Sequence, residues 1–173
     1  GVAVYHLAKL KMLEFYYDFI DKYIDRSDFE LTEMDTDSNY FAFSEDSIDK
    51  LIKPHMREEY EKDEYNFLSS ESDELHPTFK VDGKAFTLKA YAKRTPGLFK
   101  VETTKDKMVS LCSKKYCCSD MAEEKIKCSA KGIQKEGNDI SYKKFYDVLF
   151  EGKEDKVMNK GMRYINGYMK SYE

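Results

Sequence analysis

The chain has 173 residues, 41% of them hydrophobic and 14% aromatic, enough for one core, or for one domain and part of another. No run of 18 or more apolar residues occurs, which excludes a membrane-spanning helix, and no charged-then-apolar leader opens the chain, so neither membrane insertion nor secretion is expected. The net charge of −4 hides an asymmetry, with residues 1–104 at net −8 and residues 105–173 at net +4. Contact with nucleic acid is therefore expected in the second part.

Residues 2–25 predict a long helix. Leu7, Leu10, Leu13, Tyr17, Ile20 and Ile24 recur at three- and four-residue spacing, and the helix is apolar over most of its circumference, so burial on several sides is expected. It opens at Gly1-Val2-Ala3 without a cap, which reads as a chain that once continued upstream. After the polar break Arg26-Ser27-Asp28, the aromatic-rich runs 29–34 and 39–43 read as the arms of a β-hairpin. Ser44 is the expected N-cap of a helix carrying Ile48, Leu51 and Ile52, stopped or kinked at Pro54; a further helix runs from Met56 through Glu64.

Residues 69–84 are polar and turn-rich and read as a mobile loop. Runs 98–103 and 108–118 read as two strands of a hairpin joined by Thr104-Lys105-Asp106-Lys107, residues 125–131 as another strand, and 141–150 as a basic helix before a Gly-punctuated tail. The expected fold class is α+β: a small antiparallel sheet with the long helix across one face, residues 1–130, followed by a smaller subdomain, residues 131–173.

The chemistry centres on Met34-Asp35-Thr36-Asp37-Ser38. If the stretch lies on a strand, the period of two points Asp35 and Asp37 to one face and Thr36 to the other. Two converging carboxylates call for a proton or a cation, and oxygen ligands without nearby His or Cys suit a hard divalent ion, with Mg²⁺ first. Cys112, Cys117, Cys118 and Cys128 fit no zinc-ligand spacing and read as buried thiols in a reducing, intracellular compartment; on one strand, Cys112 and Cys118 would share a face opposite Cys117. His6 is expected to be packed or hydrogen-bonded, His55 and His76 exposed, Tyr5, Tyr16 and Tyr17 core or interface, and Glu58-Glu59 a solvated face.

Asp35-Thr36-Asp37-Ser38 resembles the C motif of family B DNA polymerases, and the flanking Leu7-Ala8-Lys9-Leu10-Lys11-Met12-Leu13 and Thr95-Pro96-Gly97-Leu98-Phe99-Lys100 are similar to the protein-primed branch found in phages, linear plasmids and virus-like mobile elements. Lys114-Lys115-Tyr116 resembles that family's Lys-x-Tyr motif, and Lys131-Gly132 with Lys135 resembles the passage from palm to thumb. The resemblance implies a DNA-directed DNA polymerase acting by two-metal nucleotidyl transfer, with Asp37 as the more consistent ligand of Mg²⁺ or Mn²⁺ and Asp35 supporting it. It implies that Lys114 and Tyr116 steady the primer strand, that Lys131 and Lys135 at the palm–thumb passage also contact DNA, and that Lys143, Lys144 and Arg163 lie on or near the duplex-facing thumb. The implied partners are primer–template DNA, a dNTP, a terminal priming protein and the rest of a polymerase chain.

The family's A motif, B motif and exonuclease carboxylates are absent from these 173 residues, so the chain alone is expected to be inactive. Two alternatives stand beside this reading: a remnant that folds and at most binds DNA weakly, and a glycosyltransferase whose Asp-x-Asp pair binds a metal–nucleotide sugar.

Overall fold

The computed structural model describes residues 1–122 and 125–172, and shows an α+β chain made of two compact units, Gly1–Thr103 and Thr104–Glu173. Among the described residues the strands pair antiparallel in four small sheets.

The first unit opens on α1 (Val2–Glu14), which continues through a six-residue π-helical segment, Phe15–Ile20, into α2 (Asp21–Tyr23). Phe15, Phe19 and Tyr23 are spaced by four and fall on one side, where they are buried with Ile20, Ile24, Leu51, Ile52 and Tyr60. Strands β1 (Phe29–Asp35) and β2 (Ser38–Phe43) form a hairpin. Its Phe29, Phe41 and Phe43 pack on this cluster, with Tyr16 6.0 Å from Phe29 and 6.2 Å from Phe41 between ring centres. These rings are half-buried, so each contributes part of the roughly 1.5–3 kcal/mol that full burial of such a side chain would give, and together they hold the hairpin to the apolar face of the helix.

A short α3 (Ile48–Leu51), a 3₁₀ turn at Pro54–Met56 and α4 (Arg57–Phe67) follow. Proline suits this turn because its missing N–H falls at a helix start. Then come the hairpin of β3 (Leu75–Val81) with β4 (Lys84–Thr87), and α5 (Leu88–Ala92), capped by the Thr87 side chain, which accepts from the Ala90 N–H at 3.2 Å. Phe99 returns to the core, its ring 4.1 Å from that of Phe15.

The second unit is a meander, β5 (Lys107–Cys112), β6 (Lys115–Ser119) and β7 (Ile126–Ala130), with α6 (Tyr142–Phe150) packed by Phe145 against Val109, Cys117 and Ala130. A last hairpin, β8 (Gly161–Ile165) and β9 (Tyr168–Tyr172), ends the described chain.

Several expectations are corrected. The long helix is buried only from Met12 onward: residues 1–11 are exposed, Tyr5 and His6 among them with their rings edge to face at 5.9 Å, and Tyr17 is exposed as well. Ser44 caps no helix: its hydroxyl donates to Asp28 at 2.9 Å and closes the base of the first hairpin, while Ser47 stands at the N-cap position of α3. Residues 75–87 are a hairpin instead of a loop, turning on Asp82-Gly83, both at positive φ. Residues 98–103 form no strand; Phe99 makes one isolated bridge to Leu68. The stretch 108–118 is itself a hairpin, folded back at Ser113-Lys114. The units divide at Thr103/Thr104 instead of near residue 130, because the helix after β7 buries Phe145 on the β5–β7 sheet.

Candidate functional site

The β1–β2 hairpin closes with Asp35 opposite Ser38, leaving Thr36 and Asp37 as its two-residue tip. Thr36 adopts φ +46°, and the Asp37 N–H donates to the Asp35 carbonyl at 2.5 Å, a γ-turn centred on Thr36. The Thr36 hydroxyl donates to the Asp35 carboxylate at 3.1 Å and the Ser38 hydroxyl to the Asp35 carbonyl at 3.2 Å. The hairpin itself is as expected, but Asp37 sits in the turn instead of on a strand, so alternation does not aim it along Asp35. Asp37 is exposed and Asp35 half-buried.

The residue that does alternate with Asp35 on β1 is Glu33, buried at 8% exposure. A bulge shifts the register from Leu31 opposite Phe41 to Glu33 opposite Tyr40. Past it, Glu33 and Asp35 share the side of Tyr40 and Ser38, away from the aromatic side of Phe41 and Phe43. Sequence reasoning missed Glu33: a period of two does pair it with Asp35, but only the bulge, which leaves no mark in that period, takes both off the aromatic side. It also missed Asn39, whose amide nitrogen and oxygen are both buried with no hydrogen-bond partner among the described residues.

Asp35 and Asp37 offer hard oxygen donors at a solvent-open turn, which suits a cation that keeps most of its water, as Mg²⁺ does. Among the described residues, no three His, Cys, Asp or Glu side chains converge as a metal-binding group. The pair is a partial donor set.

In the second unit, Lys114 occupies the β5–β6 turn at φ +65°. Its carbonyl accepts from the Lys131 N–H at 3.2 Å and from the Ser129 hydroxyl at 3.1 Å. Lys114 and Lys131 are thereby brought to one end of the sheet, with Lys135 reaching the Cys128 carbonyl at 3.0 Å. Tyr116 lies on β6, only 6% exposed, opposite Ser110 and Ser129. Lys114 and Tyr116 therefore do not share a strand face, since one belongs to the turn. Lys143 and Lys144 turn to aspartates instead, Lys143 to Asp147 at 3.8 Å and Lys144 to Asp155 at 3.3 Å and Asp139 at 3.7 Å. Arg163 is exposed on β8.

The cysteines also differ from expectation. Cys117 and Cys128 are register partners on β6 and β7 and form a disulfide, which direct opposition on neighbouring strands makes available. Cys118 is a buried thiol whose pKa burial pushes up, and Cys112, on β5, is exposed. His76, expected at the surface, is 7% exposed and ringed by Tyr65, Phe79 and Tyr91. Glu58 and Glu59 are exposed, as expected.

Comparison with protein-family models, with curated proteins and with solved structures gives no match.

Proposed function

We propose that this chain is the C-terminal palm and part of the thumb of a protein-primed family B DNA polymerase. The observation that carries the reading is the Asp35-Thr36-Asp37-Ser38 turn: a two-residue hairpin tip with one carboxylate ending the first strand and the other at its apex. In this reading Asp37 and Asp35 would give part of the ligand set for Mg²⁺, or Mn²⁺ in its place, and the metal when bound would supply activation of the primer 3′-hydroxyl and charge neutralisation at the triphosphate. Thr36 and Ser38 steady Asp35 through their hydroxyls. Lys114, on an ordered turn tied to Lys131, meets the primer phosphates, while the buried Tyr116 positions that turn from the adjoining strand.

Without the A and B motifs, the chain is expected not to extend a primer by itself. The reading is tested by fluorescence anisotropy on a primer–template duplex over a salt series. Lys114→Ala should lower the log–log slope by about 0.9, the share of one neutralised phosphate, and Tyr116→Phe should leave the slope unchanged. If the double change Lys9→Ala/Lys11→Ala weakens binding as much as Lys114→Ala, the attraction is diffuse and the assignment fails.

A further inference from the structure

The first unit is acidic overall, yet residues 83–101 hold Lys84, Lys89, Lys93, Arg94 and Lys100 and no Asp or Glu. The fold concentrates three of these cations. Thr87, Lys89, Ala90, Lys93 and Arg94 line a groove of about 390 Å³ at the surface of α5. Three of the five lining side chains are cationic, one is a hydroxyl and none is a carboxylate. None of the three cations makes a salt bridge among the described residues. Arg94 is held in place: its guanidinium lies 4.6 Å from the Phe86 ring centre and donates to the Ala90 carbonyl at 3.4 Å, which leaves further N–H donors for a guest. Lys89 and Lys93 are one helical turn apart, so their ammonium groups can close on the same anion.

Like charges gathered this way repel one another, and a bound anion relieves the repulsion. The protein supplies part of an answer in Glu71. Its carboxyl is held below the usual range chiefly by the hydrogen bond from Lys100 at 2.8 Å, with the fields of Lys89 and Lys93 adding to it. That carboxylate is committed to Lys100 and does not line the groove.

We propose that the Thr87–Lys89–Lys93–Arg94 groove is a phosphate-binding site, separate from the carboxylate hairpin and taking either a free polyphosphate or the phosphodiester backbone of a single strand. The groove is open to solvent, and its volume of about 390 Å³ gives room for a di- or triphosphate. Arginine can grip two phosphate oxygens at once, while each lysine acts as a point charge. The proposal does not depend on the polymerase reading.

The test uses the whole chain, with inorganic pyrophosphate and a single-stranded oligodeoxynucleotide as separate probes, followed by NMR shifts at residues 87–94 and by titration calorimetry. Binding of either probe that moves these resonances supports the site, and the responsive probe identifies the source. Lys93→Glu, an exposed change, and Arg94→Gln should each weaken that binding at least about fivefold, as removal of one charge-assisted hydrogen bond does. Lys9→Glu, with the same change of net charge as Lys93→Glu, should leave it within about twofold, because exposed charges act over short distances in salt. Glu71→Gln should tighten it. Neither Asp37→Asn nor Lys114→Ala should affect it, which keeps this site distinct from the polymerase assignment. No shift at residues 87–94 with either probe, or equal weakening by Lys9→Glu and Lys93→Glu, overturns the proposal.

Discussion

Tyr23 donates its phenolic hydroxyl to Asp63 Oδ2 at 2.8 Å across 40 residues, tying the end of the first helix to α4. Burial alone would raise the Asp63 pKa, but hydrogen bonds from Asn66 and Tyr23 together with Lys22 hold its carboxyl below the usual range. Removing the donor leaves a part-buried carboxylate short of a partner. Tyr23→Phe should cost about 1–3 kcal/mol in urea unfolding. Because the folded pKa is depressed, the contribution of Asp63 is present above its unfolded pKa of about 3.9 and is lost as pH falls through the folded value. An unchanged midpoint in Tyr23→Phe would contradict this.

His76 supports the β3–β4 hairpin as an acceptor. Its Nδ1 accepts from the Phe79 N–H at 2.9 Å and the Thr78 N–H at 3.2 Å, so the ring must be neutral, and burial lowers its pKa. As pH falls, the unfolded chain takes up this proton first. Stability from His76 is therefore complete above about pH 6.5, declines below it and levels off under the folded pKa. Thermal unfolding should show a lower Tm at pH 5.5 than at pH 7.5. His76→Asn keeps an acceptor near the same place and should remove most of that difference; an equal difference in the variant would exclude His76 as its source.

Gly97 joins two stretches far apart in sequence. It adopts φ +87°, and a Cβ there would lie 3.3 Å from Lys11 Cδ, two residues before Phe99 stacks on Phe15. Gly97→Ala should destabilise by about 1–2 kcal/mol from the left-handed backbone alone. Gly83→Ala, at φ +74° with nothing within 4 Å of the added carbon, gives the conformational cost without the close approach. Urea melts of the two variants separate the two effects: a larger loss in Gly97→Ala than in Gly83→Ala reports the close approach to Lys11, equal losses exclude it, and a neutral Gly97→Ala would contradict the backbone cost.

The disulfide has a chemical readout. Mapping under non-reducing conditions should yield one cross-linked species joining the peptides of Cys117 and Cys128. Exposed Cys112 should alkylate quickly and Cys118 slowly, since burial both shields its thiol and raises its pKa. Rapid alkylation of Cys117 in the untreated protein would contradict the pairing.

Much of this architecture is legible in residue periodicity: the first helix, the hairpin arms around Asp35, α4, the strand at 126–130 and α6 all follow it. What periodicity hides is where strands turn. Asp82-Gly83 and Asn166-Gly167 are both at positive φ and close two-residue hairpins, a turn signal that outranks the polarity which made the first look like a loop and the second a tail. Lys114, a non-glycine residue at positive φ, breaks what reads as one long strand, and nothing in its local sequence announces it. Charge averaged over the first 104 residues conceals the cationic groove at α5. The burial of Glu33, His76 and Tyr116 depends on contacts distant in sequence and cannot be read from neighbours.

The most direct test of the central claim is Mn²⁺ titration of the ¹⁵N-labelled chain, read as paramagnetic broadening of amide signals. The effect falls steeply with distance from the ion. If Asp35 and Asp37 form a metal-holding turn, broadening should centre on residues 35–38 at millimolar Mn²⁺ or below, be competed by Mg²⁺, and disappear in Asp37→Asn with the fold retained. Broadening centred elsewhere, or persisting unchanged at the hairpin tip in Asp37→Asn, would contradict it.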